Sequence, residues 1–197
     1  MANTYEIRAL YNRDTIVVYQ AYRDAIAKPA IKEQKFVSPF SLNRMTWIKP
    51  SFGWMMHRSN WGQKHGQRNI LAVHIKRSGW EKALSLGVLT SPEKSVFRTG
   101  REWEEQFKTA KVHVQWDTER TYRGAALTYF SIQVGLSSQI IEEYVNDWIV
   151  QIEDFTPTVR KLHKLMKSGD KKNFNKLLPK EKVYPVSIEN KKRLMIA

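Results

Sequence analysis

"NILAVHIKR", residues 69–77, is the run from which the fold is read. Ile70, Leu71, Ala72 and Val73 follow one another without a polar break, between Asn69 on one side and Lys76 and Arg77 on the other. An apolar run that short, bounded by polar residues, predicts a buried strand, and its uniformity predicts that the strand is central. Upstream, "YEIRAL" (5–10) and "TIVVYQAY" (15–22) are rich in β-branched and aromatic residues around "YNRD", which predicts a hairpin. Downstream, "KVHVQWDTERTY" (111–122) sets Val112, Val114 and Trp116 against His113, Gln115 and Asp117, the period-two pattern of a half-buried strand with one polar row. "LTYFSIQVGL" (127–136) is the last strand candidate.

Helical spacing fills the intervals. "RDAIAKPAIKEQ" (23–34) places Ala25, Ile26, Ala30 and Ile31 on one side, but Pro29 predicts a short or interrupted helix. "VSPFSLN" (37–43) reads as a loop. Pro50 suits the first turn of a helix over about Pro50 to Asn60, because its missing N–H costs nothing there. "GWEKALSLG" (79–87) and "REWEEQFKTA" (101–110) predict short helices anchored by Trp80 and Ala83 and by Trp103 and Phe107. "SSQIIEEYVNDWIVQIEDF" (137–155) predicts one long amphipathic helix capped by Ser137 or Ser138, with Ile140, Ile141, Tyr144, Val145, Trp148 and Ile149 inward. "TPTVRKLHKLMKSG" (156–169) follows as another, with Pro157 in its first turn and Gly169 as its stop.

No regular alternation of strand and helix and no Gly-rich first turn is present, which favours α+β over a doubly wound sheet. The expected architecture is a single domain over residues 1–185. It has a small central, mainly antiparallel and split sheet flanked by helices, with a helical C-terminal portion (156–185) packed on it. Residues 186–197 are expected to form an extended, mobile basic tail.

The 197 residues carry a formal charge of +14, and residues 160–197 alone supply +9 of it. Such a balance attracts nucleic acid, nucleotides or other polyanions. There is no cysteine, which excludes disulfides, thiolate zinc sites and cysteine nucleophiles, and fits a cytoplasmic protein. No window approaches the roughly 18 apolar residues of a membrane span, and the N-terminal stretch lacks the pattern of a secretory leader. The histidines, at 57, 65, 74, 113 and 163, form no His-x-x-x-His pair, so no metal site is expected. Phosphate-cradling, dinucleotide-binding and serine-hydrolase glycine motifs are all missing.

Polar chemistry concentrates in four places. The densest is "RMTWIKPSFGWMMHRSNWGQKHG" (44–66), where Trp47, Trp54 and Trp61 recur at an interval of seven and are interleaved with Arg44, Lys49, His57, Arg58 and Lys64. On a helix of about 3.6 residues per turn, Trp54 and Trp61 are nearly aligned. Indoles at this spacing serve a core; interleaved with cations they also suit a wall on which a base stacks while phosphates meet Lys and Arg. In "QWDTER" (115–120), Gln115, Asp117 and Glu119 share one strand face with Arg120 nearby, a set able to hold ribose hydroxyls, to act as a base, or to form a solvent-facing ion-paired row. "IRALY" (7–11) with "VYQAY" (18–22) adds Arg8, Gln20 and Tyr22, and "YFSIQVG" (129–135) adds Gln133.

"VYQAY", "RMTWIKPSFGWMMHRSNW", "QWDTER", "SIQVGL" (131–136), "DWIVQIED" (147–154) and "LLPKEKVYP" (177–185) resemble the successive blocks of the family catalogued as domain of unknown function 4291, from about Ile7 to Pro185. The resemblance implies that the basic end belongs to the same folded unit, and it implies no activity. A second resemblance is to the ADP-ribosyltransferase type of fold, through the order "VVYQAY", helix, "NILAVHI" and a late "YFSIQVGLSSQII". It implies NAD as cofactor and an acid on the late strand; this chain has Ser131 or Gln133 there, and Gln20 on the first strand where that type has His or Arg, which leaves altered chemistry, an acid from Asp117 or Glu119, or no transfer at all.

The expectation is therefore an enzyme handling a nucleotide or nucleic acid, RNA before DNA, with NAD-dependent ADP-ribosyl transfer the first chemistry to test. The alternative is a non-catalytic RNA- or DNA-binding protein. The candidate catalytic residues are Asp117, Gln133, Glu119 and His57. Candidate ligand contacts are Arg8, Gln20, Tyr22, Arg44, Lys49, Ser51, Trp54, Arg58, Trp61, Lys64, Gln115 and Arg120.

Overall fold

A computed structural model describes residues 4–197. In chain order the elements are β1 (Thr4–Tyr5), β2 (Arg8–Ala9), β3 (Thr15–Tyr22), α1 (Asp24–Glu33), β4 (Thr46–Ile48), α2 (Phe52–Ser59), β5 (Asn69–Lys76), α3 (Arg77–Leu86), β6 (Gly87–Leu89) and α4 (Gly100–Thr109). They continue with β7 (Val112–Arg120), β8 (Ala126–Leu136), α5 (Ile141–Glu143) running into a π-helical turn (Tyr144–Trp148), β9 (Ile149–Asp154), α6 (Thr156–Ser168), α7 (Lys171–Leu177), β10 (Lys182–Val183) and α8 (Ile188–Leu194).

β5, the "NILAVHIK" strand, is the centre of a three-stranded antiparallel sheet in the order β3–β5–β9. Both faces of this sheet are covered, which is why its residues are apolar without alternation. Ile16, Val18, Leu71, Val73 and Ile75 face a core shared with Val112, Val114, Ile132 and Val134 of β7 and β8. Val17, Tyr19, Ile70 and Ala72 face a second core built by α2, α6 and α7, through Phe52, Met56, Val159, Leu162 and Phe174.

The other large sheet has the order β1–β8–β7–β6, with β4 also paired to β8. It is mixed: β7 and β4 run antiparallel to β8, while β1 is parallel to β8 and β6 is parallel to β7. The architecture is thus a mixture of helices and several sheets, coarser than the single mainly antiparallel sheet expected. One backbone bridge joins the two large sheets, where Tyr19 N–H donates to the Lys49 carbonyl at 2.7 Å.

Two local expectations, the hairpin and the long helix, are corrected by tertiary partners. The strand "TIVVYQAY" pairs along its whole length with β5, and only a bridge from Tyr11 to Ile16 remains of the expected hairpin. β2 instead pairs with β10. Of the short or interrupted helix expected at 23–34, α1 is the short one: ten residues, running through Pro29 without a break. The long helix expected over 137–155 ends at the π-helical turn, and Ile149–Asp154 becomes β9 on the open edge of β5. That pairing satisfies a ladder that would otherwise be buried unpaired. The outer edge of β9 is closed by the Gln34 side chain, whose amide donates to the Ile152 carbonyl and accepts from its N–H, both at 2.9 Å.

The closing residues also differ from the expected extended tail. Ile188–Leu194 forms α8, whose Leu194 is buried and whose Leu194 carbonyl accepts from Trp116 Nε1 at 2.9 Å. An indole N–H in a half-buried site needs an acceptor, and this segment provides it.

Candidate functional site

β4 and α2 carry the tryptophan-rich block across the molecule. Thr46–Ile48 is held against Val134–Leu136 of β8, and Lys49 then bridges to Tyr19. Pro50 and Ser51 lead into α2, with the Ser51 hydroxyl accepting from Trp54 N–H at 3.1 Å as its cap. This path brings Trp47, Lys49, Trp54, His57 and Arg58 to one side of an open cleft of about 1130 Å³. Gln115, Asp117, Arg120 and Gln133 line it from β7 and β8, Gln20 and Tyr22 from β3, and Arg44 from the preceding loop.

Asp117 is the one acid in this lining, against Arg23, Arg44, Lys49, Arg58 and Arg120. Its carboxylate is fixed by two amides: Gln115 Nε2 donates to Oδ1 at 3.0 Å, and Gln133 Nε2 donates to Oδ2. Gln115 and Gln133 are register partners on adjacent strands, so they flank the carboxylate from both sides.

Lys49 is 9% exposed. Its Nζ sits 5.3 Å from the centroid of the Trp54 ring and makes one long hydrogen bond, 3.4 Å, to the Trp47 carbonyl. Burial and, after it, the Arg58 charge push its amine down to about 7, with Asp117 opposing in part. A lysine expected as a phosphate anchor is therefore held close to neutrality.

Beneath the cleft, Gln20 is fully engaged. Its Nε2 donates to Tyr22 Oη and Thr46 Oγ1, each at 2.8 Å, and its Oε1 accepts from Tyr144 Oη at 2.7 Å. Gln20 is thus a floor residue, not a free ligand contact. Burial pushes the Tyr22 hydroxyl up to about 12, and its bond with Thr46 lowers it only in part, so Tyr22 stays neutral.

Several candidates lie elsewhere. Glu119 shares the sheet face of Asp117 but is roofed by the start of α2: it accepts from the Ser51 and Ser131 hydroxyls and, at 2.9 Å, from Arg120 N–H. Ser51 and Glu119 are accordingly sealed, at 3% and 4% exposed. Trp61 is not aligned with Trp54, because α2 ends at Ser59 and Asn60 and Trp61 adopt left-handed φ values of 50° and 56°. The turn sends Trp61 into the second core, stacked on His163 at 5.1 Å. Arg8 pairs with Glu6 and lies over the Tyr129 ring, and Lys64 is exposed; neither lines the cleft.

Sequence reasoning missed Thr46, Phe40, Arg23 and Gln67 of the lining. Gln67 Oε1 is buried without a hydrogen-bond partner among the described residues. Trp47, half-buried, offers more of its ring than Trp54, which is 6% exposed. It can lie where it does because Gly135 has no side chain: a Cβ there would stand 2.9 Å from Trp47 Cη2. Among the described residues there is no group of three or more metal-ligating side chains, and no helix long and apolar enough to cross a membrane.

The family described as "Domain of unknown function (DUF4291)" matches residues 6–184. No curated protein matches the chain.

Proposed function

The chain belongs to the DUF4291 family, and because that membership carries no activity, we propose from the cleft itself that it is an enzyme acting on a nucleotide or nucleic acid. The observation that carries this reading is the composition of one cleft lining: four arginines, half-buried aromatics and a single carboxylate fixed by two amides. Ligand sites commonly combine an apolar body with a few convergent polar groups. In this reading Arg44 and Arg58 hold phosphate, Trp47 and Trp54 face a base, and Gln115, Gln133 and Asp117 meet ribose hydroxyls.

ADP-ribosyl transfer from NAD is the first chemistry the arrangement suits. The bond from ribose C1 to the nicotinamide nitrogen would break with its electron pair going to nicotinamide, and an acceptor nucleophile would bond to C1. The positive charge that develops on the ribose would be stabilised by the Asp117 carboxylate, already oriented before the substrate arrives. His57, exposed at the cleft wall, is placed to take the acceptor's proton. A cytoplasmic setting, where NAD and RNA are both at hand, belongs to the same proposal.

Thermal shift with NAD, ATP, GTP and short RNA tests binding, since a ligand specific for the folded state raises the melting point. Labelled NAD incubated with cell RNA or protein tests transfer. No shift with any nucleotide and no nicotinamide release would overturn the enzyme reading.

A second reading rests on a different observation. Lys161, Lys164, Lys171, Lys172, Lys176 and Lys180 are exposed on and after α6 and α7, and none of them lines the cleft. A non-catalytic RNA-binding protein would use that face. Its affinity would fall with salt at a slope near −0.7 per contacted phosphate for single strands, and mononucleotides would bind poorly.

A further inference from the structure

We propose that Lys49 is a nucleophilic amine, placed to condense with the C1 aldehyde of an open-chain phosphorylated sugar held in the cleft. The inference rests on the reading of the cleft as a site for a phosphate-bearing ligand, and it names the atom that reacts. Three features of the geometry carry it.

Lys49 lines the cleft from a backbone anchored between two sheets, since its carbonyl accepts from Tyr19 and Pro50 follows directly. No ion pair engages it among the described residues, and the single hydrogen bond it donates, to the Trp47 carbonyl, is long. The Nζ lies over an indole face, and Arg58 and Asp117 line the same cleft. A desolvated lysine beside another cation is the arrangement that makes an amine nucleophilic near neutral pH. The depression of Lys49 to about 7, caused first by burial and then by Arg58, agrees with this. Arg58 and Arg44 stand ready for the phosphate.

The step balances without an oxidant or reductant. The Nζ lone pair attacks C1 and the C=O π pair moves to oxygen; a proton then passes from the new ammonium nitrogen to that oxygen, giving a neutral carbinolamine. A second proton, taken from solvent at the open cleft, lets the hydroxyl leave as water while the nitrogen lone pair forms the double bond, leaving a protonated imine. The Asp117 carboxylate offsets its positive charge.

Ribose 5-phosphate with cyanoborohydride, followed by peptide mass spectrometry, tests the proposal on the full chain at pH 7.5. Selective reduction onto Lys49, at least tenfold above the exposed lysines, is the expected result. Ribose lacking the phosphate should label it at least tenfold less. The labelling rate should reach half its maximum near pH 7, whereas ordinary lysines, with amines near 10.4, keep gaining reactivity well above it. Lys49→Met should lose the selective adduct; the pH profile of the unaltered protein stands even if that variant fails to fold. Labelling spread evenly over surface lysines, or a Lys49 rate that follows the ordinary profile, overturns the assignment. Selective modification without any nucleotide-induced thermal shift would remove the nucleotide reading and keep this one. A nucleotide shift with indiscriminate labelling would do the reverse.

Discussion

Asp117 and Glu119 stand two residues apart on one strand and on one face of the sheet, yet they occupy opposite kinds of surroundings. Asp117 opens onto the cleft and is held by two side-chain amides. Glu119 lies under the first turn of α2, accepting from Ser51, Ser131 and the Arg120 backbone. Nearby, the Glu181 carboxylate accepts from Phe52 N–H at 2.6 Å, and burial first, then the Glu119 charge, push it up to about 8 despite that bond. The open cluster has spare hydrogen-bonding capacity facing outward; the closed one spends its capacity on fastening α2. Since α2 carries Trp54, His57 and Arg58, the closed cluster sets the position of the cleft wall that faces the open one. A carboxylate's role here follows from what lies on top of it and not from its place in the strand.

Breaking the two clusters separately should give opposite phenotypes. Asp117→Asn should lower any transfer rate by about 10² or more, the scale of a lost acid-base or charge-stabilising group, while the melting point stays within a few degrees. Glu119→Ala should instead cost about 3 kcal/mol in urea unfolding, because two hydroxyls and an N–H lose their buried acceptor. If Asp117→Asn unfolds the protein and Glu119→Ala leaves it intact, the contrast is wrong. Arg58→Ala should weaken a phosphate-bearing ligand about tenfold, the loss of one charge-assisted hydrogen bond, whereas Lys64→Ala should leave affinity unchanged; titration calorimetry compares them.

The pH dependence sharpens the same comparison. Glu181 is raised on folding, so the folded state holds its proton more tightly; this stability is present below the unfolded value near 4.5 and is lost as pH rises through about 8. Lys49 is lowered, so between about 7 and 10.5 the unfolded state binds more protons, and stability rises with pH across that window. Unfolding measured in urea from pH 4 to 10 should show Glu181→Gln flattening the decline and Lys49→Met flattening the rise. A local effect is expected at Gly135→Ala. There the added Cβ meets Trp47, and an overpacked contact of this kind costs about 1–3 kcal/mol or displaces the indole into the cleft.

Much of the site was legible because local pattern controls local direction. The alternation around Gln115 and Asp117 assigned their face, and the Pro50–Ser51 start assigned α2 and with it Trp54, His57 and Arg58. Trp61 was not legible. Its alignment with Trp54 assumed a continuous helix, and two left-handed residues turned it into a core. Nothing in "QWDTER" distinguished an open Asp117 from a roofed Glu119, since the roof comes from a helix more than 60 residues earlier in the chain.

By itself the sequence determined the strands of the centre, most of the helices, the basic charge and the clustering of indoles with cations. Those properties depend on hydrophobic period, proline and glycine placement and composition, all of which act within a few residues. Only the tertiary structure decided that "IVQIED" would be a strand, that the closing residues would be a helix against Trp116, that Gln20 would be spent beneath the cleft and that Lys49 would be stripped of solvent. Each of these outcomes follows from a partner distant in the chain filling an open sheet edge, an unsatisfied N–H or a space beside a charge, and the free energy of such contacts exceeds the weak local preference it overrides.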